Sequence, residues 1–201
     1  MSARNVKLKC ITAMCNKGGI GYKNKLPWGR LKLDMNYFKY MTSPKSSIDK
    51  VALLMGTNTF VSLPGPIKKR DLFVLTRDVD KLKSRNEQNQ NRRPLFFKAF
   101  RSLSQVTTFA NANNYSEVWC IGGEQIYKKT LNEWIFDEIH MTYIDKDYKC
   151  DTFMQSLPEY YKEIHRKYDY DRDEFNDNDI RLSFHVFKPD YTALENQYYI
   201  S

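Results

Sequence analysis

The sequence predicts an α/β fold, with a single domain built on a mostly parallel central sheet of about eight strands and flanked by about four helices. Two observations support this prediction. Short, nearly continuous apolar runs recur through the first two thirds of the chain, and such runs are typical of strands buried on both faces. Segments with a helical period separate these runs, and alternating strands and helices favour a parallel sheet. The last third lacks a helical period, which indicates further strands with the C-terminal one antiparallel.

The elements are predicted in the following order. VKLKCITAMC (6–15) is rich in β-forming residues and predicts the first strand. A helix is predicted over 31–41, because Leu31, Met35 and Phe38 recur at helical spacing. Three short apolar strands follow at 51–55, 72–76 and 117–121, with helices at 57–63, 102–112 and 124–134, and terminal strands at 136–144, 160–170 and 180–188.

Two stretches are predicted to lie outside regular elements. KSRNEQNQNRR (83–93) has no apolar residue and is expected to be a surface excursion, and the acidic stretch 169–179 is expected to be a turn between the last two strands. The domain is expected to span 1–189, and we assign no role to the tail 190–201.

The composition is that of a soluble globular protein, with 41% apolar and 28% charged residues among 201. The first ten residues lack an apolar leader, and no stretch approaches the ~20 apolar residues of a membrane span. Four cysteines show no metal-ligand spacing, so reduced thiols in a cytoplasmic protein are expected. The three histidines are too dispersed for a metal site, and none is predicted.

The chain carries a formal net charge of +8, although the stretch 169–179 alone contributes −5. A solvated basic surface, a small polyanionic ligand and a nucleic acid would each account for this charge. No Arg/Lys run exceeds three residues, so nucleic acid is the least favoured, but charge alone does not decide.

Asp34 lies at the edge of the apolar stripe of the first predicted helix. One interpretation is a first-turn acid stabilised by the helix dipole, worth about 0.3–1 kcal/mol. The other is a carboxylate that faces a pocket, where burial raises its pKa and lets it engage a protonatable ligand.

Three predicted strands end in groups suited to a phosphate-bearing ligand. One runs into Gly122-Gly123, another into Gly56 and a Thr/Asn/Thr helix start, and the third into Thr76-Arg77. Each is a weak signal, and a simple tight turn explains any one of them. Together they favour one extended ligand across the carboxyl edge of the sheet. GGIGYKNKLPW (18–28) adds glycines followed by an apolar cluster, where a plain connector would be short and polar.

Placed in order, these motifs resemble the dihydrofolate reductase family over roughly residues 6–188. The family pattern comprises a strand with Ala, GIG followed by LPW, a helix with an acid and a Phe, MGxxTF with SxP, an Arg before a V-L-T-R strand end, and IGG followed by Tyr. It is matched here at Ala13, 19–28, Asp34 with Phe38, 55–64, 70–77 and 121–127.

The resemblance implies hydride transfer from the cofactor NADPH to 7,8-dihydrofolate, giving 5,6,7,8-tetrahydrofolate for one-carbon metabolism and thymidylate supply. Asp34 would bond the pterin and favour protonation of N5, with support from Thr142. Leu26 and Trp28 would close over the nicotinamide and pterin and exclude water. The substrate-binding residues would be Ile11, Asp34, Met35, Phe38, Leu63, Ile67, Arg70, Ile121 and Thr142, with Arg70 pairing the glutamate carboxylate.

The cofactor would lie along the strand ends, where the family has a cis bond between Gly122 and Gly123. The matching residues are Ala13, Ile20, Gly21, Asn24, Lys25, Gly56, Thr57, Asn58, Thr59, Leu75, Thr76, Arg77, Arg101, Ile121, Gly122, Gly123, Glu124, Gln125, Ile126 and Tyr127. Both ligands are anions, which explains the basic charge without nucleic acid.

The chain departs from the family pattern at Thr57 and Asn58, where members usually carry one or two basic residues, and at Met35, where Phe or Leu is common. Two alternatives stay open: a related pterin or pyrimidine reductase, and a non-catalytic RNA-binding relative. Arg70 favours folate, since only a substrate bearing glutamate needs it. We expect a monomer with no specific nucleic-acid partner.

Overall fold

The computed structural model describes residues 5–90, 93–172 and 179–193. The strands are β1 (Lys7–Cys15), β2 (Gly19–Gly21), β3 (Val51–Gly56), β4 (Asp71–Leu75), β5 (Lys98–Phe100), β6 (Glu117–Cys120), β7 (Glu138–Ile144), β8 (Thr152–Phe153), β9 (Tyr161–Arg172) and β10 (Asp179–Pro189). The helices are α1 (Lys32–Thr42), α2 (Thr57–Ser62), α3 (Val79–Glu87), α4 (Leu103–Ala112) and α5 (Glu124–Glu133), and a 3-10 turn covers Asn16–Gly18.

Eight strands form one sheet in the order β5-β4-β3-β6-β1-β7-β10-β9. The six strands from β5 to β7 are parallel, whereas β10 pairs antiparallel with both β7 and β9. This confirms the predicted α/β class, the mostly parallel sheet and the antiparallel C-terminal strand. Because the parallel strands point the same way, the residues that follow β3, β4, β5 and β6 meet at one edge of the sheet.

Burial explains the continuous apolar runs. The residues of β3 from Val51 to Met55 are at most 3% exposed, and Phe73, Val74, Val118 and Trp119 of the neighbouring strands are fully buried. Two apolar clusters cover the two faces of these strands, since alternate residues belong to different clusters. Such strands need helices on both sides, which is why the sequence alternates between the two periods.

The prediction of a surface excursion over 83–93 was wrong for its first half. Residues 83–87 belong to α3, which begins where the carboxylate of Asp78 accepts a hydrogen bond from Lys81 N at 2.9 Å. Leu82 of this helix is fully buried. Asn86 is also buried, and its side chain bonds both Leu95 N and Leu95 O, at 3.0 and 2.8 Å. A capped helix anchored by one Leu and one Asn therefore needs no apolar stripe in 83–93.

The acidic stretch 169–179 is a turn only in part. Residues 169–172 extend β9, and Asp179 begins β10; the middle of the stretch lies outside the described residues, as do 194–201 of the tail. The short strands β2, β5 and β8 were not predicted, because two or three residues carry no period. No helix among the described residues is long and apolar enough to cross a membrane.

Candidate active site

Helix α1 presents Asp34 to the interior, and only 6% of this residue is exposed. Burial raises the pKa of the Asp34 carboxyl to about 6, the hydroxyl of Thr142 on β7 opposes this by lowering it, and the negative charge of Asp171 raises it. The carboxyl therefore titrates near neutrality, where it can exist in both protonation states. Asp34 is therefore not an exposed first-turn acid but a buried carboxyl with a raised pKa.

The hydroxyl of Thr142 lies 1% exposed beside this carboxyl. Its effect on the pKa of Asp34 shows that the two side chains interact. Yet Thr142 Oγ1 has no partner of good hydrogen-bond geometry in the part of the chain that the structure describes. The Thr142 hydroxyl therefore lies near the carboxyl of Asp34 without forming a hydrogen bond of good geometry. Its buried Oγ1 is suited to a hydrogen bond with a ligand or a water.

Trp28 is the second buried group with unmet hydrogen-bonding capacity. The residue is 1% exposed, its ring packs edge-on against Tyr148 at 6.1 Å, and its Nε1 has no acceptor among the described residues. Leu26, two residues earlier, remains 43% exposed. Of the two apolar residues that flank Pro27, Trp28 is therefore buried and Leu26 stands at the surface.

Five residues predicted to wall a substrate pocket lie in one apolar cluster. Ile11 is a buried member of this cluster, and the half-buried residues packed against it include Phe38, Leu63, Ile67 and Ile121. They come from β1, α1, the segment after α2, and the end of β6. Met35 is half-buried on α1 but is not among the residues packed on this cluster.

The side chain of Arg70, which directly precedes β4, contacts the C-terminal end of α1. Its Nη1 donates to Thr42 Oγ1 at 2.7 Å and its Nε to Lys68 O at 3.1 Å, while Thr42 itself donates to Phe38 O at 2.8 Å. Burial lowers the pKa of the guanidinium, but its ordinary value is so high that it stays charged. The structure thus places one fixed cation at the opposite end of α1 from Asp34.

Tyr37 anchors the middle of α1 on the sheet. Its hydroxyl lies 2.7 Å from His140 Nδ1, and His140 Nε2 lies 3.3 Å from Glu138. Burial raises the pKa of Tyr37 to about 12 and lowers that of His140. Near neutral pH the tyrosine therefore donates to a neutral imidazole. Sequence reasoning missed this pair, since neither residue belongs to a motif.

The glycine-rich segment is tied to the chain around residue 150. β2 pairs antiparallel with β8, and Met154 N donates to Gly18 O at 2.8 Å. A Cβ on Gly19 would lie 2.3 Å from Cys150 Sγ and 2.9 Å from Cys15 Sγ. Close packing against two sulfurs is thus one reason for a glycine here. Asn24 and Lys25 lie in the exposed turn beyond β2.

The ends of β3 and β6 bring the predicted cofactor residues together. Gly56 N donates to Gly122 O at 2.8 Å, and Ile121 N donates to Leu54 O at 2.9 Å. A Cβ on Gly56 would lie 2.9 Å from Ile126, and one on Gly123 would lie 3.4 Å from Thr59 Oγ1. The Gly122–Gly123 bond is cis. These glycines leave bare backbone at the carboxyl edge, directly before the N-terminus of α5.

Cations cluster beside this edge. Arg77 and Arg101 are exposed and follow β4 and β5, whose ends are paired at Leu75 and Phe100. Arg85 of α3 donates to Asn58 Oδ1 at 3.4 Å, so its guanidinium reaches the start of α2, where the family usually has a basic residue. Sequence reasoning missed Arg85, because it was assigned to a surface excursion.

Comparison with known proteins agrees with this geometry. The sequence matches the family model for dihydrofolate reductase over residues 7–188. The chain belongs to the dihydrofolate reductase family. It is 34% identical over 157 residues to a dihydrofolate reductase of Heliothis virescens, covering 76% of this chain and 80% of the relative. It is also 26% identical to one of Aedes albopictus, covering 90% of this chain and 97% of the relative. A relative from Sus scrofa is 28% identical, with the same two coverages.

The residues at the carboxyl edge fit the nicotinamide dinucleotide that dihydrofolate reductases use. A side chain at Gly56 would collide with Ile126, and one at Gly123 would contact Thr59, so the glycines let the ends of β3 and β6 pack closely against α5 and α2. The arginines after β4 and β5, together with Arg85, supply positive charge for phosphate groups. Thr142 Oγ1 lies beside Asp34, and Trp28, which precedes α1, belongs to an apolar cluster with Leu31.

Proposed function

We propose that this chain reduces 7,8-dihydrofolate to 5,6,7,8-tetrahydrofolate with NADPH as the hydride donor. The observation that carries the proposal is Asp34, a buried carboxyl with a pKa raised to about 6. A group that titrates near neutrality can hold and release the proton that reduction of the pterin requires. NADPH, when bound, supplies the hydride. The rest of the chemistry belongs to the protein's own side chains.

Asp34 and Thr142 would bind the pterin edge. The ionised carboxylate accepts hydrogen bonds from the pterin 2-amino group and N3, and the unpaired Thr142 hydroxyl offers a further partner. Ile11, Phe38, Leu63, Ile67 and Ile121 would enclose the pterin and aminobenzoyl rings, since they already share one apolar cluster. Leu26, exposed without ligand, would cover the bound rings and exclude water.

The experiment that tests this function measures oxidation of NADPH by the purified chain in the presence of dihydrofolate, with tetrahydrofolate identified as the product. Turnover is expected, and it should disappear when dihydrofolate is omitted. NADPH oxidation with simple pterins but not with dihydrofolate would contradict the proposal and favour a pterin reductase. Absence of turnover together with tight RNA binding would favour the non-catalytic alternative. The four cysteines are free thiols, which supports a cytoplasmic protein.

Arg70 is expected to bind the glutamate tail. In Arg70→Leu, KM for dihydrofolate should rise about 10- to 100-fold, the scale of a charge-assisted hydrogen bond of ~1.5–3 kcal/mol. KM for a pterin substrate that lacks glutamate should change little. The measurement is KM for both substrates in the variant and in Lys68→Leu, which removes a neighbouring exposed charge and keeps the carbonyl that Arg70 Nε contacts. Equal increases for both substrates would show that Arg70 acts only by bracing Thr42 and α1.

Preference for NADPH over NADH is expected to depend on the arginines at the carboxyl edge. Arg77→Ala should lower kcat/KM for NADPH about 10-fold or more and change that for NADH little, because the 2′-phosphate loses a charged donor. Thr57→Arg should widen the preference by restoring the usual family cation. The measurement is kcat/KM for each cofactor, with Lys81→Ala on α3 as a charge control. An unchanged ratio in Thr57→Arg, or equal losses in Arg77→Ala, would place the 2′-phosphate elsewhere.

A further inference from the structure

Asp171, in the acidic stretch at the end of β9, contacts helix α1, which carries Asp34. Asp171 Oδ2 accepts a hydrogen bond from Leu33 N at 2.7 Å, across 138 residues of sequence. Leu33 is the second residue of α1 and directly precedes Asp34. Asp171 is half-buried and paired with Ile180 of β10, so a strand at the edge of the sheet supplies this contact.

Helix α1 needs such a contact, because its own N-cap position cannot provide one. That position is Leu31, which makes no side-chain cap hydrogen bond. The first N–H groups of a helix have no partner within the helix, and Asp is among the best side chains for satisfying them. A carboxylate at this end also interacts favourably with the helix dipole. Asp171 therefore performs from β9 the task that Leu31 cannot.

We propose that Asp171 is a positioning residue for Asp34: it caps helix α1 from the edge strand β9 and places a fixed negative charge beside the buried carboxyl. This inference rests on the reductase function proposed above. The hydrogen bond fixes the first turn of α1, on which Asp34 lies. The charge disfavours ionisation of Asp34 and so retains the proton toward neutral pH. The middle and the end of α1 are held separately, by Tyr37 with His140 and by Thr42 with Arg70.

Among the described residues, Asp171 is the charged group that acts on the pKa of Asp34. Thr142 of β7 faces the carboxyl and is uncharged, and its hydroxyl lowers the pKa of Asp34. Tyr37 on α1 and Tyr127 on α5 interact electrostatically with Asp34, but burial raises the pKa of both phenols, so they stay neutral across the working range. Lys32, two residues before Asp34, is exposed to solvent, where its charge is screened.

Two substitutions separate the two parts of the proposal. Asp171→Asn keeps an oxygen that can accept from Leu33 N and removes the charge, whereas Asp171→Ala removes both. The matched control is Asp169→Asn, two residues earlier on β9, whose carboxylate faces Lys167 at 3.7 Å. It changes the net charge of the same strand by the same amount without touching α1.

The first measurement follows the carboxyl signal of Asp34 by NMR in the ligand-free protein as pH is varied. Asp171→Asn should lower the Asp34 midpoint by about half a unit to one unit, the effect of one nearby charge in a partly screened site. Asp169→Asn should leave it in place. A wild-type midpoint in Asp171→Asn would overturn the electrostatic part of the proposal. This readout needs no turnover, so it stands apart from success or failure of the proposed function.

The second measurement is the pH profile of kcat/KM with thermal unfolding of the same variants. In Asp171→Asn the alkaline limb of this profile should move to lower pH, so that kcat/KM at a given pH on that limb falls about 3- to 10-fold. The unfolding temperature should change little. Asp171→Ala should show the same displacement and, in addition, a lower unfolding temperature and a higher KM for dihydrofolate. If Asp171→Ala unfolds and binds like the wild type, the capping part of the proposal is wrong.

Discussion

Asp34→Asn is expected to lower kcat/KM for dihydrofolate about 30- to 1,000-fold, or ~2–4 kcal/mol of transition-state stabilisation. Asparagine nearly preserves the shape of the side chain, but it can neither carry the proton nor offer a second acceptor to the pterin. The deficit should shrink as pH falls, because protons from solution then replace the lost carboxyl. The measurement is kcat/KM from acidic to alkaline pH, with Asp80→Asn as a control that removes a fully exposed carboxylate.

The same variant is expected to be more stable than the wild type at neutral pH. The folded-state pKa of Asp34, about 6, lies above the ~3.9 of an unfolded Asp, so the folded protein binds more protons between these values. Stability contributed by the protonated carboxyl is therefore present below about pH 4 and is lost as pH rises through about 6. Asparagine stays neutral, so Asp34→Asn should gain up to about 3 kcal/mol at about pH 8 and little at pH 4.

Activity and stability thus move in opposite directions at this residue, as expected where a buried charge is kept for function. Denaturant unfolding of both proteins at the two pH values measures the difference. A variant with wild-type turnover at neutral pH would contradict the catalytic role. A variant less stable than the wild type at every pH would show that the carboxylate is paired and structural.

The main fold could be predicted because its strands are buried on both faces and its helices on one. β3 is apolar throughout, β4 and β6 are apolar after a first acidic residue (Asp71 and Glu117), and α1 and α5 repeat apolar residues at helical spacing. Short elements could not be predicted in this way. β5 depends on pairing with β4, and α3 depends on the buried Leu82 and Asn86, which only the tertiary structure reveals.

In the candidate site, too, some features could be predicted from local sequence and others could not. The position of Asp34 follows from helical spacing, and the glycines at Gly56 and Gly122 mark strand ends that a parallel sheet must bring together. The chemistry of these groups comes from contacts distant in sequence, such as Asp171 at Leu33 N and Arg85 at Asn58. No local pattern encodes such contacts. The sequence therefore predicts the carboxyl of Asp34 and the carboxyl edge of the sheet. The raised pKa of Asp34 and the additional cation, Arg85, become apparent only from the fold.

Gly122→Ala is expected to be the most destabilising substitution at the carboxyl edge. Gly122 has φ +97°, which a residue with a Cβ adopts only under strain, and the new Cβ would lie 2.5 Å from Tyr127 Cε2. The ring cannot simply withdraw, because Tyr127 is buried and its hydroxyl donates to Ile11 O at 2.9 Å. Backbone strain and overpacking each cost about 1–3 kcal/mol, so a loss of about 3–5 kcal/mol in unfolding free energy is expected, with weaker NADPH binding.

Gly65→Ala is the matched control, since a Cβ there meets no atom within 4 Å, and it should change stability by less than about 1 kcal/mol. The double variant Gly122→Ala with Tyr127→Ala separates the two causes. Removing the ring relieves the clash but not the positive φ, so the double variant should be more stable than the sum of the single losses by about 1–3 kcal/mol. Strict additivity would assign the whole effect to the backbone. A wild-type unfolding free energy in Gly122→Ala would mean that this turn accepts a side chain, and that neither the positive φ nor the Tyr127 contact requires glycine.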